Sequence, residues 1–319
     1  MKKYIINDNK KILFLKDNEI LFENKKAIRI KLCDEEYKFL IKICKSFSVF
    51  GKEELSDETF DILQKNKIII LANNSVINSY GTKYERNELF AYNFFKKKSF
   101  ENIANKKIMI IGLGGTASII IEHLLAVGIK NFSIIDYDKV ELSNLNRQFI
   151  YCESDVGKQK TNICEEYILS KNKNAVVKKY NLMINSKEEV KNIVKREEID
   201  FIVNSADMPP YYIQKNIVEA SIELNVPCIF GGVGLFEGVY GPLLTNKFNK
   251  KKYLKSISEI LKKINYIYPC KSSFGVTNSL IATYMSWDII MYLLNEKKHV
   301  KSLNKSVTIN FNMEEIWKQ

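Results

Sequence analysis

The stretch Lys107-Ile108-Met109-Ile110-Ile111-Gly112-Leu113-Gly114-Gly115-Thr116-Ala117 decides the fold. Ile108–Ile111 is apolar and largely β-branched, as in a parallel strand buried on both faces. Gly112 permits the tight turn that follows. Gly114 and Gly115 let backbone N–H groups approach a phosphate, and the helix expected from Thr116 points its positive end at the anion. Ala117 stands where a dinucleotide fingerprint has its last glycine, a packing position that tolerates alanine. Asp136 closes the next strand about twenty residues on, where an acid accepts hydrogen bonds from ribose hydroxyls. Together these describe a nucleotide site, and the spacing alone does not separate ATP from NAD.

The residues that follow do separate them. Asp136-Tyr137-Asp138 leads to Ser143-Asn144-Leu145-Asn146-Arg147-Gln148 and then to Asp155-Val156-Gly157-Lys158-Gln159-Lys160. Arg147 and Lys160 are cations, and Asn144 and Gln148 are amides. Arriving together, they neutralise a triphosphate and the charge that develops when its α-phosphorus is attacked. Hydride transfer gains nothing from them.

Around this string the chain alternates strand and helix, which predicts an α/β fold: a Rossmann-like, mostly parallel sheet with crossover helices. Strands are expected at Lys107–Gly112, Phe132–Asp136, Ala175–Tyr180, Phe201–Asn204 and Pro227–Phe230. Helices fit Thr116–Gly128, Lys158–Ser170, Lys187–Lys195, Pro210–Leu224 and Leu280–Leu294, with a closing strand at Val307–Phe311. The lysine-rich stretch Lys247–Lys263 reads as an exposed crossover. Of thirteen glycines, three lie at 112–115 and five at 231–241, marking two places where backbone turns tightly or approaches something closely.

The first ninety residues have a different texture. Lys11–Leu15 and Glu19–Phe22 alternate around Asp17-Asn18, and Ala27–Leu32 continues as a third strand. Asp34–Ser46 carries a helical stripe, Lys52–Gln64 a second helix, and Lys67–Leu71 returns to strand. This order predicts a small winged-helix-like α+β domain over residues 1–80, ahead of a catalytic domain over 81–319. Lys52–Gln64 carries more acids than bases, so it meets phosphate poorly, and nucleic acid is not the expected partner.

A length of 319 residues suffices for two modest domains with a sizeable core. The formal charge of +12 is spread along the whole chain, which fits a general lysine bias as well as an anionic partner. Six cysteines without a Cys-x-x-Cys pair and only two histidines, His123 and His299, argue against structural zinc, a disulfide scaffold and a histidine triad. No segment reads as a signal peptide or a membrane span. The expectation is a soluble, cytoplasmic protein with no membrane partner.

The run Asp-x-Asp-x-Val-Glu-x-Ser-Asn-Leu-Asn-Arg-Gln at 136–148, with Asp-Val-Gly-x-x-Lys at 155–160, resembles the nucleotide-site signature of the ThiF/MoeB adenylyltransferases. These are prokaryotic relatives of ubiquitin-activating enzymes, and the resemblance extends from about Tyr84 to the C-terminus. It implies that Asp136 binds ribose beside Gly112, Gly114 and Gly115, and that Asn144, Arg147, Gln148 and Lys160 contact phosphates. Asp207 would hold Mg²⁺ next to the attacking carboxylate; without the resemblance it reads as a helix cap before Pro209. Lys83-Tyr84-Glu85-Arg86-Asn87 resembles the family's Arg-Tyr-x-Arg-Gln element. There the second arginine reaches into the partner subunit, so Arg86 would complete the opposing site of a homodimer; unaided, it is an ordinary surface residue.

Two departures shape the expected substrate. The family's zinc-binding cysteine pairs are missing, so no zinc is expected. Cys270 lies one residue further from Gly275-Val276 than in thioester- or persulfide-forming members, and Asn278 replaces a usual proline; a half-buried loop cysteine is the alternative to a thiolate role. The front domain resembles the peptide-recognition domain of enzymes that mature ribosomally made peptides, with a packing or dimerisation appendage as the alternative. The resemblance implies an ATP- and Mg²⁺-dependent adenylyltransferase activating the carboxylate of a short ribosomally made peptide during antibiotic maturation. A sulfur-carrier activator and a non-catalytic peptide-presenting scaffold are the competing readings.

Overall fold

Residues 2–24, 26–46, 48–95, 98–265 and 272–311 are described by the computed structural model, and the chain divides into two units, Met1–Glu101 and Asn102–Gln319. The front unit opens with β1 (Tyr4–Ile6), followed by β2 (Ile12–Phe14), β3 (Glu19–Asn24) and β4 (Lys26–Lys31). β2, β3 and β4 form a three-stranded antiparallel sheet. Asp17 and Asn18 both adopt left-handed φ values of 58°, which short polar side chains tolerate at a hairpin turn. Then come α1 (Asp34–Ser46), α2 (Asp57–Lys65), β5 (Ile69–Leu71), α3 (Asn74–Ser79) and α4 (Glu85–Phe94), with β5 antiparallel to β1.

α2 begins at Asp57 because Ser56 caps it, its hydroxyl accepting the Thr59 N–H at 3.3 Å. One core joins Ile20 and Phe22 of the sheet to Leu40, Ile43, Phe60 and Leu63 of α1 and α2. A second cluster packs Ile5, Ala72 and Val76 against Leu89 and Tyr92 of α4. That cluster carries the front unit past residue 80, the boundary drawn from sequence, to Glu101.

The second unit is built on a seven-stranded sheet. Its strands are β6 (Lys107–Ile111), β7 (Asn131–Ile135), β8 (Val176–Tyr180), β9 (Phe201–Asn204), β10 (Cys228–Val233), β11 (Glu237–Leu244) and β12 (Val307–Asn310). The spatial order is β12-β11-β10-β9-β6-β7-β8. β10, β9, β6, β7 and β8 run parallel, while β11 and β12 join antiparallel. The helices are α5 (Gly115–Ala126), α6 (Lys160–Lys171), α7 (Lys187–Glu197), α8 (Tyr212–Leu224), α9 (Lys247–Leu261) and α10 (Gly275–Leu293). Central strands β6 and β9 are buried almost throughout, which explains why they read as continuous apolar runs.

One expectation needs correction. Lys247–Lys263 is not an exposed crossover: it contains α9, and Lys250 on its inner face is wholly buried. The Lys250 ammonium donates to the Ser221 and Val226 carbonyls at 3.0 and 2.8 Å, satisfying acceptors at the C-terminal end of α8. Burial lowers its pKa. The second glycine cluster lies in the hairpin β10–β11, on which α10 packs with the close approach expected from sequence. A Cβ on Gly231 would lie 2.3 Å from Met285 Sδ, and one on Gly238 2.4 Å from Ile281 Cγ1. Among the described residues, no helix is long and apolar enough to cross a membrane.

Candidate active site

Strand order reverses at β6, since β7 pairs on one side of it and β9 on the other. At such a switch point the loops leaving the strands' carboxyl ends part and leave a crevice. Here the crevice is a cavity of about 420 Å³. Of the ten site residues named from sequence, nine line it: Gly112, Gly114, Gly115, Asp136, Asn144, Arg147, Gln148, Lys160 and Asp207. The tenth, Arg86, lies in the first turn of α4 in the front unit.

The glycine turn is fixed from both sides. Gly112 has φ +83°, and a Cβ there would come within 2.6 Å of the Ala206 nitrogen, so both conformation and space demand glycine. Gly114 caps α5 with no side-chain hydrogen bond, and nothing lies nearer than 3.9 Å to a Cβ placed on it. The first turn of α5 is thereby left open to a ligand anion.

Asp136, at the exit of β7, is buried, and its carboxylate holds two loops together. Its Oδ2 accepts the Leu113 N–H at 2.6 Å and its Oδ1 the Asp138 N–H at 2.8 Å. Burial raises its pKa, opposed by the nearby Lys160 charge and by these two hydrogen bonds. A carboxylate has about four lone-pair sites, so two remain for ribose hydroxyls.

Lys160 begins α6, with its ammonium 3.1 Å from Asp138 Oδ2. Arg147 is half-buried on the loop after Asn144, and its Nη1 donates at 2.8 Å to both the Ser143 carbonyl and Asn146 Oδ1. Those bonds orient the guanidinium plane while its other donors face away from them. Asn144 is committed locally: its Oδ1 accepts the Glu141 N–H at 3.2 Å. Gln148 is buried, and its Oε1 has no partner in the structure.

Asp207 is exposed in the cavity just past the tip of β9. Among the described residues no group of three or more His, Cys, Asp or Glu is arranged to hold a metal. A lone cavity carboxylate such as Asp207 suits a hard cation whose remaining oxygens come from phosphates and water.

Several lining residues escaped the sequence reading. Gln214 on α8 faces the cavity, and its buried Oε1 has no partner. Asn278 on α10 is buried with its Nδ2 donating to Ser273 Oγ at 3.0 Å and to the Phe274 carbonyl at 2.8 Å. A Cβ on Gly115 would lie 2.5 Å from Asn278 Oδ1, so α10 packs against the glycine turn. Leu182, Met183 and Ile184 supply an apolar wall, and Tyr211 sits at the head of α8 with a left-handed φ of 62°. The departure from proline at 278, noted from sequence, was the one available signal. Cys270 lies outside the described residues.

The glycine turn, an acid at the next strand's end and two cations over one crevice define a nucleotide-binding α/β protein with an anion-stabilising centre. The chain belongs to the ThiF family, whose model matches residues 84–319. It is 26% identical over 139 residues to the sulfur carrier protein adenylyltransferase of Thermus thermophilus, covering 43% of this chain and 49% of that one. It is 27% identical over 222 residues to a probable molybdopterin-synthase adenylyltransferase of Porphyra purpurea, covering 68% and 56%. The chain thus spans about half the length of these two relatives. Among solved structures, E. coli MccB with AMPCPP and MccA superposes with TM-score 0.67 at 25% identity, covering 98% of this chain and 94% of that one. PaaA shares the fold, with TM-score 0.64 at 18% identity and 96% of both chains covered.

Proposed function

We propose that this protein is an ATP- and Mg²⁺-dependent adenylyltransferase that activates a carboxylate, its C-terminus, on a short ribosomally made peptide. The observation that carries the reading is the convergence of Arg147, Lys160 and Asp207 on the cavity formed by the glycine turn. The acceptor class rests on the front unit and on the near full-length match to MccB, another structure of which is described as a microcin C7 biosynthetic enzyme with N-formylated MccA.

In this reading the peptide carboxylate attacks the α-phosphorus in line. A carboxyl oxygen–phosphorus bond forms, the bond to the bridging oxygen breaks, and pyrophosphate leaves. No general base is needed, because a terminal carboxyl is already ionised at neutral pH. Gly114 and the first turn of α5 receive phosphate oxygens, and Asp136 orients the ribose. Arg147 and Lys160 stabilise the charge that builds on phosphorus; they act from fixed positions, which makes their charges more effective than in water. Asp207 would hold Mg²⁺, which supplies charge neutralisation between nucleotide and nucleophile. Arg86 would complete the site of a second copy in a homodimer.

The test is ATP–pyrophosphate exchange with labelled pyrophosphate. Exchange that appears only with a carboxyl-terminated peptide supports the reading, and exchange driven only by a Gly-Gly-tailed carrier protein replaces it. Sulfur-carrier activation is the second reading, favoured by the names of the Thermus and Porphyra relatives. Any thiol step follows adenylation, so the choice of acceptor that drives exchange separates the two. A scaffold without chemistry is disfavoured because every phosphate-contacting position is filled.

A further inference from the structure

Strand β10 outruns its neighbour. β9 ends at Asn204, and the parallel ladder pairs only Cys228 with Ile202 and Ile229 with Val203. On its other side β10 stays paired with β11 as far as Val233 opposite Gly238. The strands part beyond Ile229, and Gly231–Val233 and Ser205–Met208 both line the same cavity as Arg147, Lys160 and Asp207.

The hairpin fixes which backbone groups face this gap. The Gly234 N–H donates to the Glu237 carbonyl at 2.8 Å. Bonded and non-bonded pairs alternate along an antiparallel ladder. Gly232 therefore exchanges its hydrogen bonds with β11, while Gly231 and Val233 turn their N–H and C=O groups to the open side. A strand edge of this kind is a template for another extended chain.

A further observation points to a ligand in this cavity. Gln214 Oε1 is buried without a partner on the cavity wall, and such an acceptor is satisfied when a ligand N–H reaches it. A Cβ on Gly232 would meet nothing within 4 Å, so the sheet face over Gly232 is open.

We propose that the edge of β10 at Gly231–Val233 takes the last residues of the acceptor peptide as an added strand. The main chain of the substrate bonds to Gly231 and Val233, and the extended geometry delivers its terminal carboxylate toward Asp207. Main-chain pairing of this kind gives affinity independent of side chains, leaving sequence choice to other contacts. The inference rests on the adenylyltransferase reading and adds where the reacting end of the substrate lies.

The experiment uses the full-length protein, ATP and a pool of randomised hexapeptides with free C-terminal carboxylates, read by ATP–pyrophosphate exchange. The same pool is then made with the last two backbone amides N-methylated, and again with two amino-terminal amides N-methylated. Methylation near the carboxylate should raise the peptide KM by about tenfold or more, the order expected for losing one or two hydrogen bonds and the close fit. Methylation at the far end should change it little. Exchange indifferent to methylation near the carboxylate overturns the added strand while leaving adenylation standing. Absence of exchange with every pool, with ATP still bound, overturns both.

Discussion

Lys160 has only 7% of its side chain exposed, whereas its partner Asp138 keeps 45%. The ammonium is therefore held in place by a carboxylate before any nucleotide arrives, and its other donors can serve phosphate oxygens. Replacing Lys160 with Met keeps the stem's packing and removes the charge. Exchange activity should fall by on the order of a hundredfold or more, as for loss of a preorganised donor, with the thermal midpoint preserved. Arg147→Ala should behave alike, and near-normal turnover in both variants would remove them from the mechanism. The glycines make a sharper contrast. Gly112→Ala meets the Ala206 backbone at a left-handed φ and should lose about 1–3 kcal/mol or more of stability. Gly114→Ala meets nothing close, so its thermal midpoint should stay near that of the parent; equal losses in the two would refute the contrast. The cavity-lining residues of the glycine turn and the run after it were legible because they stand at fixed spacings in one stretch of sequence. Gln214 was not, because an amide inside a helix carries no spacing signal and reaches the cavity only when the helix docks.

At the level of elements, the parallel strands β6 to β10 and most of the helices between them follow from periodicity, since burial on both faces leaves a continuous apolar run. β1 was missed because three residues are too few for a pattern. α9 was missed because its lysines hide a helical period in which one of them turns inward. β11 was missed because its glycines and Pro242 interrupt the alternation that marks a strand. The α7–α8 pair also carries a testable electrostatic contact. Glu223 on α8 meets Lys187 at 2.8 Å and Lys191 at 2.6 Å on α7, and hydrogen bonds from these two lysines hold its pKa at about 2, below the ordinary 4.5. A depressed carboxylate stabilises the fold above its unfolded pKa and loses that contribution as it protonates. Glu223→Gln should therefore lower the urea midpoint above pH 4.5, and the difference should shrink as pH falls toward 2. The contact is exposed, so added salt should also shrink it; a pH-independent difference would count against the pair.

For the whole molecule, the division into two units sets where the chain can be cut. A protein beginning at residue 81 leaves Leu89 and Tyr92 without Ile5, Ala72 and Val76, against which they pack. One beginning at residue 102 leaves that core out entirely. The shorter protein should be more soluble, with the sharper thermal transition; the reverse would contradict the unit boundary. Loss of peptide binding with retained ATP binding in residues 102–319 would assign peptide capture to the front unit, and retained peptide affinity would refute that assignment. Because each unit closes its own core, the two can drift at different tempos over evolutionary time. On the proposed function, the back half would answer to the geometry of a nucleotide and the front to whatever gene supplies the acceptor. Lineages could exchange front halves as interchangeable heads without relearning the chemistry, and a graft from a relative of different preference should redirect which acceptor is modified while leaving turnover on the nucleotide side as it was.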